Sequence, residues 1–262
     1  MSTAEVSRRP TRGEEESLSR YYVAHQRYQA MRELLRYEDS KLLAWIAPTG
    51  KRVLELGCGS LPLLLAVPEP DFSYVGTDFS ENGVRLAKQL VPRGEFLLSD
   101  AKAPGLSPGQ FDVVVMKNLL HHVDRPADCL RAVKPLLAPR GSVLVVEPNS
   151  RCVAANLLKG LLGLAGRPLE ESPYGQLKVG RLREAFSATG FEIERVYHSG
   201  LLAFPLSGDY GSLKVMPMWV SLWRVIIAVD RLLSIPLLGP GWLAPWLGFK
   251  VIFHLRPRDH KR

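Results

Sequence analysis

Cysteine is scarce in this chain. The three that occur, Cys58, Cys129 and Cys152, form no C-x-x-C pair, which argues against a disulfide framework or a zinc knuckle and fits a reduced, cytoplasmic setting. The sequence suggests no metal site. Apolar residues are missing from the start: MSTAEVSRRPTRGEEE is polar and mixed in charge, so residues 1–14 read as a disordered tail rather than a signal peptide. The most apolar late stretch, VMPMWVSLWRVIIAVDRLLSIPLL, is interrupted by Arg224 and Asp230, short of the roughly twenty apolar residues of a membrane span. Aromatic residues do not interleave with basic ones. Much of the net charge of +8 lies at the ends, in Arg8, Arg9, Arg12 and the tail RPRDHKR, so specific nucleic-acid binding is not expected. With 46% hydrophobic and 23% charged residues, the composition is that of a globular protein.

Between about Glu15 and Ala47, Leu18, Tyr21, Tyr22, His25, Tyr28, Met31, Leu34 and Leu35 recur three and four apart. This predicts a helical N-terminal cap over 15–50, with a second short helix around Leu42–Ile46 stopped by Pro48 and Gly50. Then the pattern changes to short apolar runs, RVLELG, SYVGTD, EFLLSD, FDVVVMK and GSVLVVE, separated mostly by helical segments such as ENGVRLAKQL and PADCLRAVKPLL. Near-continuous Val and Leu runs alternating with helices mean parallel strands covered on both faces, a doubly wound α/β sheet. A helix VGRLREAFSATG, a strand FEIERVYHSG and a last strand FKVIFHLRP complete one domain over 15–262, with substrate-side insertions at 150–178 and 201–248.

The most informative absence is a glycine. VLELGCGSLP (53–62) carries Gly57 and Gly59 after a strand, but Pro62 stands where a dinucleotide fingerprint has its third glycine. That glycine has less to do where no pyrophosphate sits on the helix N-terminus. Ligands of open parallel sheets bind beyond the carboxyl ends of the strands, and here three strands end in acids: Glu55, Asp78 and Asp100. They would cradle a phosphate poorly and suit an adenosine that carries a sulfonium and an ammonium group. Asp78 can accept both ribose hydroxyls. Asp100 can accept from the adenine amine while the Ala101 N–H serves a ring nitrogen, and Phe79 offers an apolar face. Cys58 supplies a small side chain beneath the ligand. The implied cofactor is S-adenosyl-L-methionine.

The segments VLELGCGS (53–60), VGTDFSENGVRLAK (75–88), FLLSDA (96–101) and FDVVVMKNLLHHVDRPADCLRAVKPLLAPRGSVLVVEP (111–148) resemble the class I S-adenosylmethionine-dependent methyltransferases, in the small-molecule methyltransferase group. The resemblance implies a seven-stranded sheet of order 3-2-1-4-5-7-6 with the last strand antiparallel. It implies Gly57 and Gly59 at the methionine end, Asp78 at the ribose, Asp100 and Ala101 at adenine, and the Asn118 backbone near the methionine amine. SLP after GCG, and APRGSV in place of a PGG turn, depart from the family pattern. In the implied order the fourth and fifth strands are neighbours. His121 and His122 would then share one edge with Glu147, beside the expected methyl position, where a histidine oriented by a carboxylate can take a proton. In related enzymes the N-terminal helix caps the active site, which makes Tyr21, Tyr22 and His25 candidate substrate contacts, together with Trp219.

The insertion at 201–248 holds Trp219, Trp223, Trp242 and Trp246 and only Asp209, Lys214, Arg224, Asp230 and Arg231 as charges. It reads as a greasy lid, as a peripheral membrane contact, or as a helical layer and homodimer interface. All three favour an apolar acceptor. The expected function is methyl transfer to a small, apolar or lipid-like molecule such as a natural-product intermediate, with oxygen the favoured acceptor atom. The alternatives are C- or N-methylation of a membrane-associated lipid or quinone, and a non-catalytic S-adenosylmethionine-binding protein.

Overall fold

Side-chain alternation along the strands divides the core in two. In β1 (Arg52–Leu56), Leu54 and Leu56 join one buried cluster and Val53 the other; in β4 (Phe111–Lys117), Val114 and Met116 oppose Val113 and Val115 in the same way. Both faces of these strands are apolar, so both need a helical cover. In the computed structural model, which describes residues 11–46, 50–67, 69–153, 156–157, 160, 177–203, 206, 219–233 and 244–258, that cover is present. The helices α4 (Pro126–Val133) and α5 (Val179–Ala188) bring Leu130, Val133, Leu182 and Phe186 to the first face. The helices α2 (Gln29–Ile46) and α3 (Glu81–Leu90) bring Leu42, Ile46, Val84 and Ala87 to the second.

The remaining strands are β2 (Ser73–Asp78), β3 (Glu95–Leu98), β5 (Leu137–Pro148), β6 (Phe191–Ser199) and β7 (Lys250–Pro257). The sheet has seven strands in the order β3-β2-β1-β4-β5-β7-β6, as expected. β7 runs antiparallel to both β5 and β6, and the other neighbours pair in parallel. The strand order reverses between β1 and β4, so the carboxyl edge there is where such a sheet binds ligands.

The N-terminal region departs from the sequence expectation in two places. Thr11 and Glu14 form a reciprocal capping box, so α1 (Arg12–Arg27) takes in residues 12–14 of the expected 1–14 tail. Residues 1–10 lie outside the described residues. The helical run then breaks at Tyr28, which is extended (φ −115°, ψ 115°), and the short helix expected near Leu42 is the end of α2. The break lets α1 lie against α3 while α2 lies on the sheet. Most of the 150–178 insertion, and residues 207–218 and 234–243 of the later one, including Trp242, also lie outside the described residues.

A third cluster joins the cap to the late insertion. Met31, Leu34 and Tyr37 on the second side of α2 pack against Trp223 and Ile227 of α6 (Val220–Leu233). The helix α6 is further anchored by Asp230, whose Oδ1 accepts the Leu201 and Leu202 amides at 2.9 and 3.0 Å. Trp223 is almost fully buried. Trp223→Ala should therefore cost about 3–5 kcal/mol, read as a lowered denaturation midpoint in urea.

Candidate active site

The glycine loop after β1 is held by its neighbour strand. The Gly57 and Cys58 amides both donate to the Thr77 carbonyl, at 2.7 and 2.9 Å. Gly57 and Gly59 have φ of 70° and 55°, a region that favours glycine. A Cβ on Gly57 would lie 2.7 Å from Leu119 Cδ1, so the loop and the turn after β4 meet here without space for a side chain.

Asp78, at the end of β2, closes the loop. Its Oδ2 accepts the Gly59 amide and its Oδ1 the Ser80 amide, each at 2.9 Å. Burial pushes its carboxyl up to about 6; those two amides oppose the shift and the Glu15 charge adds to it. Glu15 reaches this point because α1 lies over the loop: its carboxylate accepts from Ser80 Oγ at 2.6 Å, and Ser60 Oγ donates to the Leu18 carbonyl at 2.9 Å.

Gly57, Asp78, Phe79, Asp100, Ala101 and His122 line one narrow cavity of about 50 Å³, together with Leu119, Lys102 and Asp124. The structure thus brings together the residues expected at ribose, adenine and glycine loop. Lys102 and Asp124, 3.5 Å apart, both line the cavity and were not singled out by the sequence. Asn118 takes φ 55° with its amide on the Val146 carbonyl. Its Oδ1 is buried and accepts no hydrogen bond among the described residues, and Asn118 itself does not line the cavity.

Glu55 corrects the expectation of three acids around the ligand. Alternation turns it from the strand edge toward the α2 and α3 face, where it is fully buried. Its Oε2 accepts the Leu63 amide at 2.7 Å and the Tyr74 hydroxyl at 2.5 Å. It also belongs to a buried ion cluster. Lys117, at the end of β4, lies 3.0 and 3.1 Å from the two Asp39 oxygens on α2 and 4.0 Å from Glu55. Burial works to lower the Lys117 ammonium, but the Asp39, Glu55 and Glu38 carboxylates outweigh it and hold it charged. Cys58 is buried beside them. Burial first, then Asp78 and Glu55, push its thiol well above its ordinary value, as suits a small inert side chain.

His121 and Glu147 meet. His121 Nδ1 is 2.6 Å from Glu147 Oε2, while Glu147 Oε1 accepts the Leu120 amide at 2.7 Å. Glu147 is buried, and His121 stays partly exposed. The His121 and His122 rings lie 4.0 Å apart, His122 on the 50 Å³ cavity and His121 on a larger cleft of about 380 Å³. Leu120, Val123, Leu177 and Ala185 give that cleft apolar walls, with Arg125, Arg131 and Arg181 around them. Val123 and Asp124 border both spaces, so the two adjoin.

The four candidate substrate contacts do not line either space. Tyr21 packs against the cluster between α2 and α6. Tyr22 stays half-buried on α1. Burial, reinforced by Arg32 and Arg36, lowers His25 to about 4 and leaves it neutral. Trp219 is 71% exposed just before α6.

Residues 22–196 match the family described as methyltransferase domain. The chain belongs to the methyltransferase family. Its fold and family are those of S-adenosylmethionine-dependent enzymes, which makes S-adenosylmethionine the cofactor, and Asp78, Asp100 and Ala101 line the cavity in which it was expected. This methyltransferase is 30% identical to the ubiquinone biosynthesis O-methyltransferase of Ralstonia nicotianae, over 64% of this chain and 75% of that one. The ubiquinone biosynthesis O-methyltransferase of Thiobacillus denitrificans is 33% identical over 44% of this chain and 50% of its own. A non-reducing polyketide synthase of Preussia isomera is 29% identical over 58% of this chain but only 6% of the synthase. The methyltransferase thus spans half or less of several curated relatives it matches. Among solved structures, the Haloferax volcanii complex of the Trm112 methyltransferase activator with a methyltransferase superposes with TM-score 0.61, covering 97% of this chain and all of its counterpart at 16% identity. The [4+2]-cyclase SpnF superposes with TM-score 0.56 at 19% identity, over 88% of this chain and 82% of that one. These two likenesses concern the fold.

Asp78 generates a pH prediction. Its folded pKa lies above the ordinary carboxylate value, so the fold gains stability as pH falls through that window, while the protonated carboxyl loses acceptor capacity for the ribose. S-adenosylmethionine affinity should fall roughly fourfold from pH 7.5 to 5.5 as Asp78 takes up its proton. Calorimetric titration checks this; Asp78→Asn should bind about tenfold or more weakly and lose that pH dependence.

Proposed function

We propose that this methyltransferase methylates a hydroxyl oxygen of a small, apolar or lipid-like acceptor seated in the cleft beside His121. The observation that carries the reading is the 2.6 Å contact between His121 Nδ1 and Glu147 at the border of a cleft that adjoins the cofactor cavity.

Bound in its cavity, S-adenosylmethionine supplies an electrophilic methyl group, which passes in line to the acceptor oxygen as S-adenosylhomocysteine leaves. What the chain must add is position and a proton acceptor. A carboxylate only accepts hydrogen bonds, so Glu147 selects the His121 tautomer with its proton on Nδ1. That leaves the Nε2 lone pair to take the hydroxyl proton as the carbon–oxygen bond forms. The Leu120 amide fixes the other Glu147 oxygen, so the carboxylate cannot rotate away from the imidazole. Burial of Glu147 keeps water from competing for it, and it offsets the imidazolium charge that develops. Leu120, Val123, Leu177 and Ala185 offer an apolar wall on which an aromatic or alkyl body of the acceptor can lie. The ubiquinone O-methyltransferase relatives support an oxygen acceptor on a body of that kind.

A panel of phenols and catechols with radiolabelled S-adenosylmethionine tests the reading. On the acceptor that turns over, His121→Ala should lower kcat by about 10²–10⁴ with cofactor affinity unchanged. The loss should shrink as pH rises and the acceptor ionises unaided. Equal turnover by variant and parent would remove His121 as the base.

A further inference from the structure

The exposed apolar residues of this protein are not scattered. All but Val23 and Leu98 of the exposed large hydrophobic side chains among the described residues lie in the two insertions. Both insertions leave the sheet at one edge, where β5 ends at Pro148 and β6 at Ser199, both paired with Lys250 at the start of β7; the later one rejoins the sheet there and the earlier one runs into α5. This is the edge that carries the cofactor cavity and the cleft.

The helix α6 shows how the face is built. Trp223 and Ile227 turn inward onto α2, and Asp230 turns inward onto the Leu201 and Leu202 amides. The opposite side presents Val225, Val229 and Leu232, spaced four and three apart, with Trp219 just before the helix. Val225 is 60% and Leu232 64% exposed. Trp246 and Leu247 of α7 (Ala244–Leu247) add to the exposed set. Inward packing fixes the helix's rotation, so the outward stripe is not a chance side of a loosely held segment.

The charge pattern selects the occupant. The only acid of α6 is the buried Asp230, and both of its exposed charges are arginines. Arg224 lies 2.9 Å from Glu33, and Arg231 lies over the Tyr37 ring at 5.3 Å with no carboxylate partner among the described residues. Glu33 offsets Arg224, which leaves Arg231 as the cation of α6 without a carboxylate among the described residues, and a second copy packed through this stripe would bring no exposed acid of its own α6 to meet it. An anionic headgroup layer meets both parts of the pattern, with tryptophan and leucine below and arginine at the phosphates. No helix among the described residues is long and apolar enough to cross a membrane, so the contact is an interfacial one.

We propose that the α6 face docks this protein onto the surface of a bilayer containing anionic phospholipid. Docking holds the active-site edge against the phase in which an apolar acceptor dissolves. The proposal does not depend on the acceptor atom or on His121.

The test is flotation of the full chain with phosphatidylcholine vesicles, with and without about 30 mol% phosphatidylglycerol. The parent should float with the anionic vesicles, less with the neutral ones, and less at high salt. The double variant Val225→Ser/Leu232→Ser alters only exposed positions; it should keep its thermal midpoint and turnover of a water-soluble phenol while its partitioning falls about tenfold or more. A parent that stays with the soluble fraction for every vesicle, or a variant that floats like the parent, overturns the proposal. So does sedimentation showing a parent dimer that the variant turns into monomer, which would assign the face to a second copy. Failed flotation with His121 still needed for turnover would leave the oxygen-transfer reading intact, and the reverse result would leave the docking reading intact.

Discussion

The buried ammonium of Lys117 is the contact around which this structure is arranged. It joins the end of β4, on which it stands, to two consecutive elements far from it in sequence: α2 through Asp39 and β1 through Glu55. Taking such ions out of water costs several kcal/mol each, and close pairing has to offset it. The positions are therefore coupled. α2 cannot shift without uncovering Lys117, and α2 is also the surface on which α6 packs. Glu55 in turn receives the Leu63 amide, which sets the turn that follows the glycine loop. Lys117 directly precedes Asn118, whose left-handed backbone begins the turn that carries both histidines. One cation thus links the N-terminal cap, the glycine loop and the turn after β4.

Above this base the two halves of the site differ in character. The cofactor half is built from strand ends and backbone amides: Gly59 and Ser80 aim at Asp78, and the Asp100 Oδ1 accepts the Lys102 amide at 2.8 Å. Its geometry follows from the sheet and leaves little freedom. The cleft beside His121 is lined from helix starts, with Leu177 just before α5, Arg181 in its first turn, and Pro126 and Asp128 at the beginning of α4. Such positions change without disturbing the sheet. The methyl donor is accordingly common to a family, while the acceptor belongs to each member.

What was legible in the sequence were features written locally. Asp78 ends β2 and Asp100 lies two residues past the end of β3, so their place at the carboxyl edge could be read from the apolar runs before them. The meeting of His121 and Glu147 was legible once strand order made β4 and β5 neighbours. Glu55 was misread because a strand end and a strand interior differ by one step of alternation. Lys117 and Asp39 carried no signal, since they are 78 residues apart and only the packing of α2 on the sheet joins them. The break at Tyr28 was hidden for a related reason: apolar periodicity continues through it, and only tertiary contacts on either side demand the bend. Tyr21, Tyr22 and His25 were placed near substrate by analogy with relatives, and they line neither space in this structure; nor does Trp219, which was drawn from the apolar insertion and stays exposed.

The close approach of Leu119 to Gly57 has a consequence for inheritance. Any side chain at position 57 must displace Leu119, and the next residue, Leu120, donates the amide that fixes Glu147. Substitutions in the glycine loop and in the turn after β4 are therefore epistatic. A change in one has a value that depends on the residue in the other. A smaller residue at 119 would relieve the clash but not the left-handed backbone at 57, so position 57 stays restricted while the tolerance of position 119 depends on it.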